Sequence, residues 1–146
     1  MISNQVLQSM AVKYQTTELN LRREYFQHLF LSNFYQQSKT DQIYFKGGTA
    51  LRLIFNSPRF SEDLDFSSGV QEIATIEEAI LNTLTAISRE NIDVDLSEAT
   101  VTSGGYLALI AFQEGDELVN IQLELSLREG KKQSVELSRE NVVGRD

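Results

Sequence analysis

The stretch Tyr44-Phe45-Lys46-Gly47-Gly48-Thr49-Ala50-Leu51-Arg52-Leu53-Ile54-Phe55, continuing through Asn56-Ser57-Pro58-Arg59-Phe60-Ser61-Glu62 to Asp63-Leu64-Asp65-Phe66, decides how this chain is read. With Ile43 it opens on a short run of strand formers that ends at Gly47-Gly48. Thr49 to Phe55 is apolar and free of breakers, which predicts a helix. Asn56-Ser57-Pro58 stops it, because proline disfavours helix in the residue before it. Asp63 to Phe66 predicts a second short strand, closed by a turn at Ser67-Ser68-Gly69.

Each half of this segment carries a chemical suggestion. Two glycines between a strand and a helix permit φ > 0 and let another group approach the main chain closely. Free N–H groups at the helix start then suit a phosphate, with Lys46 and the Thr49 hydroxyl at hand. Taken alone, Gly-Gly-Thr is more often a tight turn with a threonine cap. On a strand, Asp63 and Asp65 share one face while Leu64 and Phe66 enter the core. Their backbones lie about 6.5–7 Å apart, near enough to share a metal centre. Asp93-Val94-Asp95 has the same spacing without a glycine turn and helix before it, and reads as a solvated strand face.

The adjoining order of turn, helix and acid pair gives the first pair its weight. Nucleotidyl transfer needs donors for phosphates together with carboxylates for magnesium. Arg59 and Ser61 lie on the loop between the two halves. Glu124, an acid on the polar side of a long alternating strand, is the best candidate for a third carboxylate. By residue pattern alone it reads slightly better as a surface glutamate.

The rest of the chain predicts an α+β fold with a mixed or antiparallel sheet, packed helices and helices at its N-terminus. Residues 1–40 read as helix, with apolar stripes at Val6, Leu7, Met10, Ala11 and at Leu19, Phe26, Leu29, Phe30, Phe34. Thr16 or Thr17 is placed to cap the second of these helices. Thr75-x-x-Glu78 matches a capping box ahead of a helix that ends near Glu90. The period then becomes two. Ile92, Val94 and Leu96 alternate with acids, Tyr106 to Phe112 reads as a central strand, and Val119 to Leu127 alternates apolar with polar. Glu114-Gly115-Asp116 turns the last two strands into an antiparallel hairpin. Residues 1–146 are expected to form one domain, with the sheet core over 41–137.

Composition removes several classes. With no cysteine and His28 as the only histidine, thiolate sites and multi-imidazole zinc sites are excluded. A metal here takes oxygen ligands, which favours magnesium, calcium or manganese. The net charge of -8 argues against nucleic-acid binding by bulk electrostatics. Lys46, Arg52 and Arg59 nevertheless make the local segment basic. No apolar run approaches the roughly 18–20 residues that span a bilayer, and no signal peptide is evident. A cytoplasmic location is expected.

The runs Tyr44 to Leu51 and Arg59 to Phe66 together resemble the nucleotidyltransferase family of AbiEii/AbiGii-type toxins, within the DNA polymerase β-like superfamily. Ile121 to Arg128 is similar, more loosely, to the strand bearing that family's later acid. The resemblance implies a polymerase β-like fold. It implies that Gly47, Gly48 and Thr49, with Lys46, Arg59 and Ser61 nearby, hold the nucleotide. Asp63, Asp65 and Glu124 would be the catalytic acids and the ligands of Mg2+ (or Mn2+). Such enzymes move a nucleotide from an NTP to a hydroxyl, in some members on RNA such as tRNA. Many are toxins paired with an antitoxin, in toxin–antitoxin or phage-defence systems. Members generally continue into a C-terminal helical region that includes a lysine used on the nucleotide, a region expected to be missing here. Apolar sheet surface left open by that loss would favour self-association.

Other features read more plainly. His28 is expected at the surface or its boundary. Arg22-Arg23 reads as an exposed helix face, Gly104-Gly105 as a turn, and Arg128 to Lys132 as a solvated turn with a weaker reading as an RNA contact. No P-loop pattern occurs. The alternatives to a transferase are a non-catalytic nucleotide- or partner-binding domain on the same fold, and a metal-dependent phosphohydrolase.

Overall fold

The computed structural model describes residues 3–128 and, for the backbone alone, residues 136–137. Two helices open it, α1 (Asn4–Tyr14) and α2 (Glu18–Phe34), followed by a 3-10 turn at Ser38–Thr40. Then come β1 (Ile43–Lys46), α3 (Gly47–Phe55), β2 (Leu64–Ser68), α4 (Ile73–Ser88), β3 (Asp93–Thr102), β4 (Gly105–Glu114), β5 (Glu117–Leu127) and β6 (Glu136–Leu137). The sheet runs β3-β4-β5-β2-β1-β6. β2 and β5 pair in parallel and the other neighbours are antiparallel. The expected α+β fold with a mixed sheet is therefore what forms.

One sheet face is buried. Phe26, Phe30 and Phe34 from α2 and Ile76, Ile80 and Ile87 from α4 join Phe45, Leu64, Phe66, Ile110, Phe112, Ile121 and Leu123 in a single core. Phe66 lies near its centre, with ring centroids 5.3 Å from Phe34 and 5.6 Å from Phe45. Tyr106 adds a tie from the sheet to α4: its hydroxyl donates to Glu77 at 2.5 Å. Burial first, and then that hydrogen bond, raise the Tyr106 pKa. The alternate residues of β5 (Asn120, Gln122, Glu124) are exposed on the opposite face, as period-two alternation requires.

Several local expectations shift. Thr17, not Thr16, caps α2, its hydroxyl accepting from the Asn20 N–H. Leu19 is half exposed and leaves the apolar stripe. The capping-box reading of Thr75 fails, because α4 already starts at Ile73, with Glu72 at its N-cap and no side-chain cap. The apolar period continues one turn upstream, and packing outweighs a local cap signal. Asp63 precedes β2, and Ser67 and Ser68 belong to the strand rather than to a turn, because they pair with Tyr44 and Ile43. Arg22 is not on an exposed face. It is buried, donates to Asn4 Oδ1 at 2.8 Å and lies 3.9 Å from Glu114. His28 is exposed, and so are Asp93 and Asp95, on the solvated face expected of them. Of the segment Arg128 to Lys132, residues 129–132 lie outside the described residues.

Gly105 starts β4 against β5, and a Cβ there would come within 1.9 Å of the Leu125 carbonyl oxygen. At Gly104 a Cβ meets nothing within 4 Å. Gly105→Ala is expected to destabilise the fold by about 2 kcal/mol or more through forced backbone displacement. Gly104→Ala should change little. Urea unfolding of the two variants checks the contrast.

Candidate nucleotide and metal site

The site is assembled where β1 runs into α3. Antiparallel pairing sets Lys46 opposite Asp65, and parallel pairing sets Asp65 opposite Glu124. Paired positions in adjacent strands project to the same side, so Lys46, Asp65 and Glu124 form a row across the open face. Gly47 takes φ 83° and begins α3. A Cβ on it would lie 2.6 Å from Asp65 Oδ2, so the glycine backbone and the acid are in close approach. Only a residue without a side chain fits.

Asp63 enters from the loop just before β2. Its charge acts on Asp65, whose carboxyl is held above the ordinary range first by burial, then by Asp63 and Glu124, with Lys46 opposing. The charges of Asp63 and Glu124 thus both reach Asp65. Among the described residues no three such side chains form a ready-made metal cage. Magnesium is commonly held by one or two carboxylates together with substrate phosphates rather than by an all-protein shell.

A cavity of about 390 Å³ opens beside the pair, lined by Gly48, Leu51, Ser57, Arg59, Phe60, Ser61, Glu62 and Asp63. Arg59 is exposed at its rim, and among the described residues its guanidinium makes no ion pair. Arg52 differs. Its guanidinium is committed to Glu24 at 2.7 Å and to the Ser57 carbonyl at 3.0 Å, and stacks 3.9 Å over Phe60. It braces the loop. Thr49 is likewise buried, its hydroxyl donating to the Asp63 carbonyl. Threonine here fastens the acid-bearing loop to α3.

One supporting residue escaped the sequence reading. Gln27 on α2 is buried, and its amide donates to the carbonyls of Ser61 at 3.0 Å and Glu62 at 3.3 Å. The signal was present as a polar residue inside an apolar helical stripe, between Phe26 and Phe30. Without the fold, no partner for it was visible.

Residues 29–139 match the family described as "Nucleotidyl transferase AbiEii toxin, Type IV TA system". The chain belongs to this family. Its fold is shared with JHP933 from Helicobacter pylori (TM-score 0.53, 23% identity, covering 80% of this chain and 47% of that one). A second H. pylori protein, described as a candidate nucleotidyltransferase, aligns with TM-score 0.53 and 24% identity over 80% of this chain and 49% of its own. The chain spans about half the length of these two structures. A comparison with curated protein sequences finds no match. No helix among the described residues is long and apolar enough to cross a membrane.

Two outcomes are expected here. A carboxyl with a higher pKa folded than unfolded contributes stability below its unfolded value, and that contribution is lost as pH rises through the folded value. Asp65→Asn should therefore raise the Tm of metal-free protein at pH 7, and the gain should shrink as pH falls through the raised folded value of Asp65 and be gone below about 4. A gain that is the same at every pH would contradict the assignment. Gln27→Leu leaves two loop carbonyls without their donor and should cost about 1–3 kcal/mol, measured by chemical denaturation.

Proposed function

We propose that this chain provides the nucleotide- and metal-binding core of a magnesium-dependent nucleotidyltransferase that moves an NMP from an NTP to a hydroxyl acceptor, with RNA as the acceptor class. The observation that carries the reading is the convergence of Asp63, Asp65 and Glu124 beside the Gly47–Gly48 turn. Family membership supports the reaction type.

In this reading Asp65 and Asp63, with Glu124 at the flank, hold Mg2+ or Mn2+, which supplies charge neutralisation for the phosphates when bound. The N–H groups of Gly47 and Gly48 at the start of α3 receive phosphate oxygens. Lys46 and Arg59 add positive charge on either side of the acids, and Ser61 offers a hydroxyl within the cavity. An Asp or Glu of this set would take the proton of the attacking hydroxyl. Thr49, Arg52 and Gln27 keep the loop in place without touching substrate. As part of a type IV toxin–antitoxin family, the protein would act in the cytoplasm and be restrained by an antitoxin.

The alternative is a non-catalytic nucleotide-binding domain on the same fold, favoured by the lack of a ready-made three-acid cage among the described residues. Isothermal titration should show NTP binding that requires Mg2+ and weakens at least about tenfold in Asp65→Asn, the loss expected on removing one charged ligand. Absence of magnesium-dependent binding would end both readings. Transfer of label from an NTP to cellular RNA, with release of pyrophosphate, selects the transferase; binding without transfer selects the alternative.

A further inference from the structure

β4 breaks the alternation that its neighbour β5 keeps. Tyr106, Ala108, Ile110 and Phe112 fill the core, while Leu107, Leu109 and Ala111 stand half-buried on the opposite face. A strand that is apolar on both faces belongs in a sheet covered on both sides. Here the helices cover one side, and the row on the other side keeps part of its apolar surface open.

Strand register gives this row its neighbours. Glu98, Leu109 and Gln122 stand abreast, as do Asp95, Ala111 and Asn120, and likewise Thr100, Leu107 and Glu124. Paired positions project to the same side. The apolar line therefore runs down the middle of the face, with Asp93, Asp95 and Glu98 along its β3 border. These three acids are exposed and make no ion pair among the described residues. β3, β4 and β5 contain no lysine or arginine at all. A cavity of about 70 Å³ opens among Glu98, Thr100, Leu107, Ala108, Leu109 and Gln122.

Several occupants are disfavoured. At the β3 edge the register shifts between Leu96 and Glu98, and the Ser97 hydroxyl donates to the Leu109 carbonyl at 3.0 Å. A bulged, acid-bearing edge resists the addition of another strand. Two copies of this face laid together would set carboxylate against carboxylate. Nucleic acid and anionic lipid meet the same repulsion.

We propose that this face docks a basic amphipathic helix of a partner protein. Apolar residues at i, i+3 or i+4, and i+7 of a helix span about 10.5 Å. The row from Leu107 to Ala111 runs about 13 Å. The apolar stripe of the helix lies on this row, and one of its side chains enters the cavity beside Glu98. Lysine or arginine along one flank then meets Asp93, Asp95 and Glu98. The binding mode is that of a helix in a groove, with charge setting which helix is accepted. Glu124 shares a row with Leu107, so the docked helix borders the acids of the candidate site. The docking surface itself does not depend on the transferase reading.

The test uses the purified chain and a fluorescein-labelled synthetic helix of about 18 residues, with leucines at the stated spacing and lysines elsewhere, followed by anisotropy. Saturable binding is expected. Shuffling the same residues, so that the apolar stripe is lost, should weaken it at least about tenfold, as should Leu109→Asn. Asp95→Asn combined with Glu98→Gln should weaken binding and flatten its salt dependence. Circular dichroism checks folding, and if Leu109→Asn does not fold, the double variant carries the decision. No binding of the synthetic helix, equal affinity for the shuffled peptide, or wild-type affinity in the double variant overturns the proposal. Magnesium-dependent NTP binding should stay unchanged in the double variant; a parallel loss would assign these acids to the candidate site and overturn the docking surface. Sedimentation velocity addresses the second-copy case: self-association abolished by Leu109→Asn would overturn the proposal in favour of a copy of this chain.

Discussion

The Asp65 carboxylate occupies the space into which any side chain at position 47 would project. This close approach governs the arrangement of the site. β1 must deliver Gly47 at positive φ for α3 to begin where it does, and the β1–β2 register must hold Lys46 level with Asp65. The parallel β2–β5 register then brings Glu124 to the same row. A slip of one residue in either pairing would turn Asp65 toward the core and Phe66 toward water. Burial of Phe66 among Phe34, Tyr35 and Phe45 opposes such a slip. The core thereby sets the position of a charged group on the other face.

Much of the segment's polar chemistry serves to hold rather than to bind. Thr49 and Arg52 on α3 and Gln27 on α2 hold the loop at 56–63 by its backbone carbonyls, those of Asp63, of Ser57, and of Ser61 with Glu62, while a charge-assisted fork to Glu24 ties Arg52 to α2. A loop carrying an acid beside two others requires such bracing, since like charges brought together favour its departure. Arg59, unpaired among the described residues, and the N–H groups of the glycine turn remain available to an anion. The division of labour between Arg52 and Arg59, seven positions apart on the same segment, follows from which one faces α2.

The electrostatic layout has a consistent logic. Burial, then Asp63 and Glu124, drive the rise in the Asp65 pKa while Lys46 opposes it, so one cation stands against the acids in this row. A cation among these acids would invert the local balance. Lys46 gives direction to an anionic ligand, even though the chain as a whole is acidic. Net charge describes solubility and long-range steering; the placement of two or three cations describes a site.

The sequence by itself determined the elements and the chemistry of the Tyr44–Phe66 segment. Helical and strand periods, the breaker at Pro58 and the need for glycine at a strand-to-helix turn are local. Each depends on residues within a few positions of one another. It also carried the family resemblance, and the contrast between Asp63-Leu64-Asp65 and Asp93-Val94-Asp95. Tertiary structure alone decided that Asp63 lies outside the strand, that Thr49 and Arg52 are braces, and that Gln27 matters. It also decided that Glu124, slightly better read from sequence as a surface residue, stands beside Asp65, and that Arg128 stacks on Tyr44. These outcomes depend on strand register and on which helix covers which face. Both are set by burial of residues far apart in the chain, which no local pattern encodes.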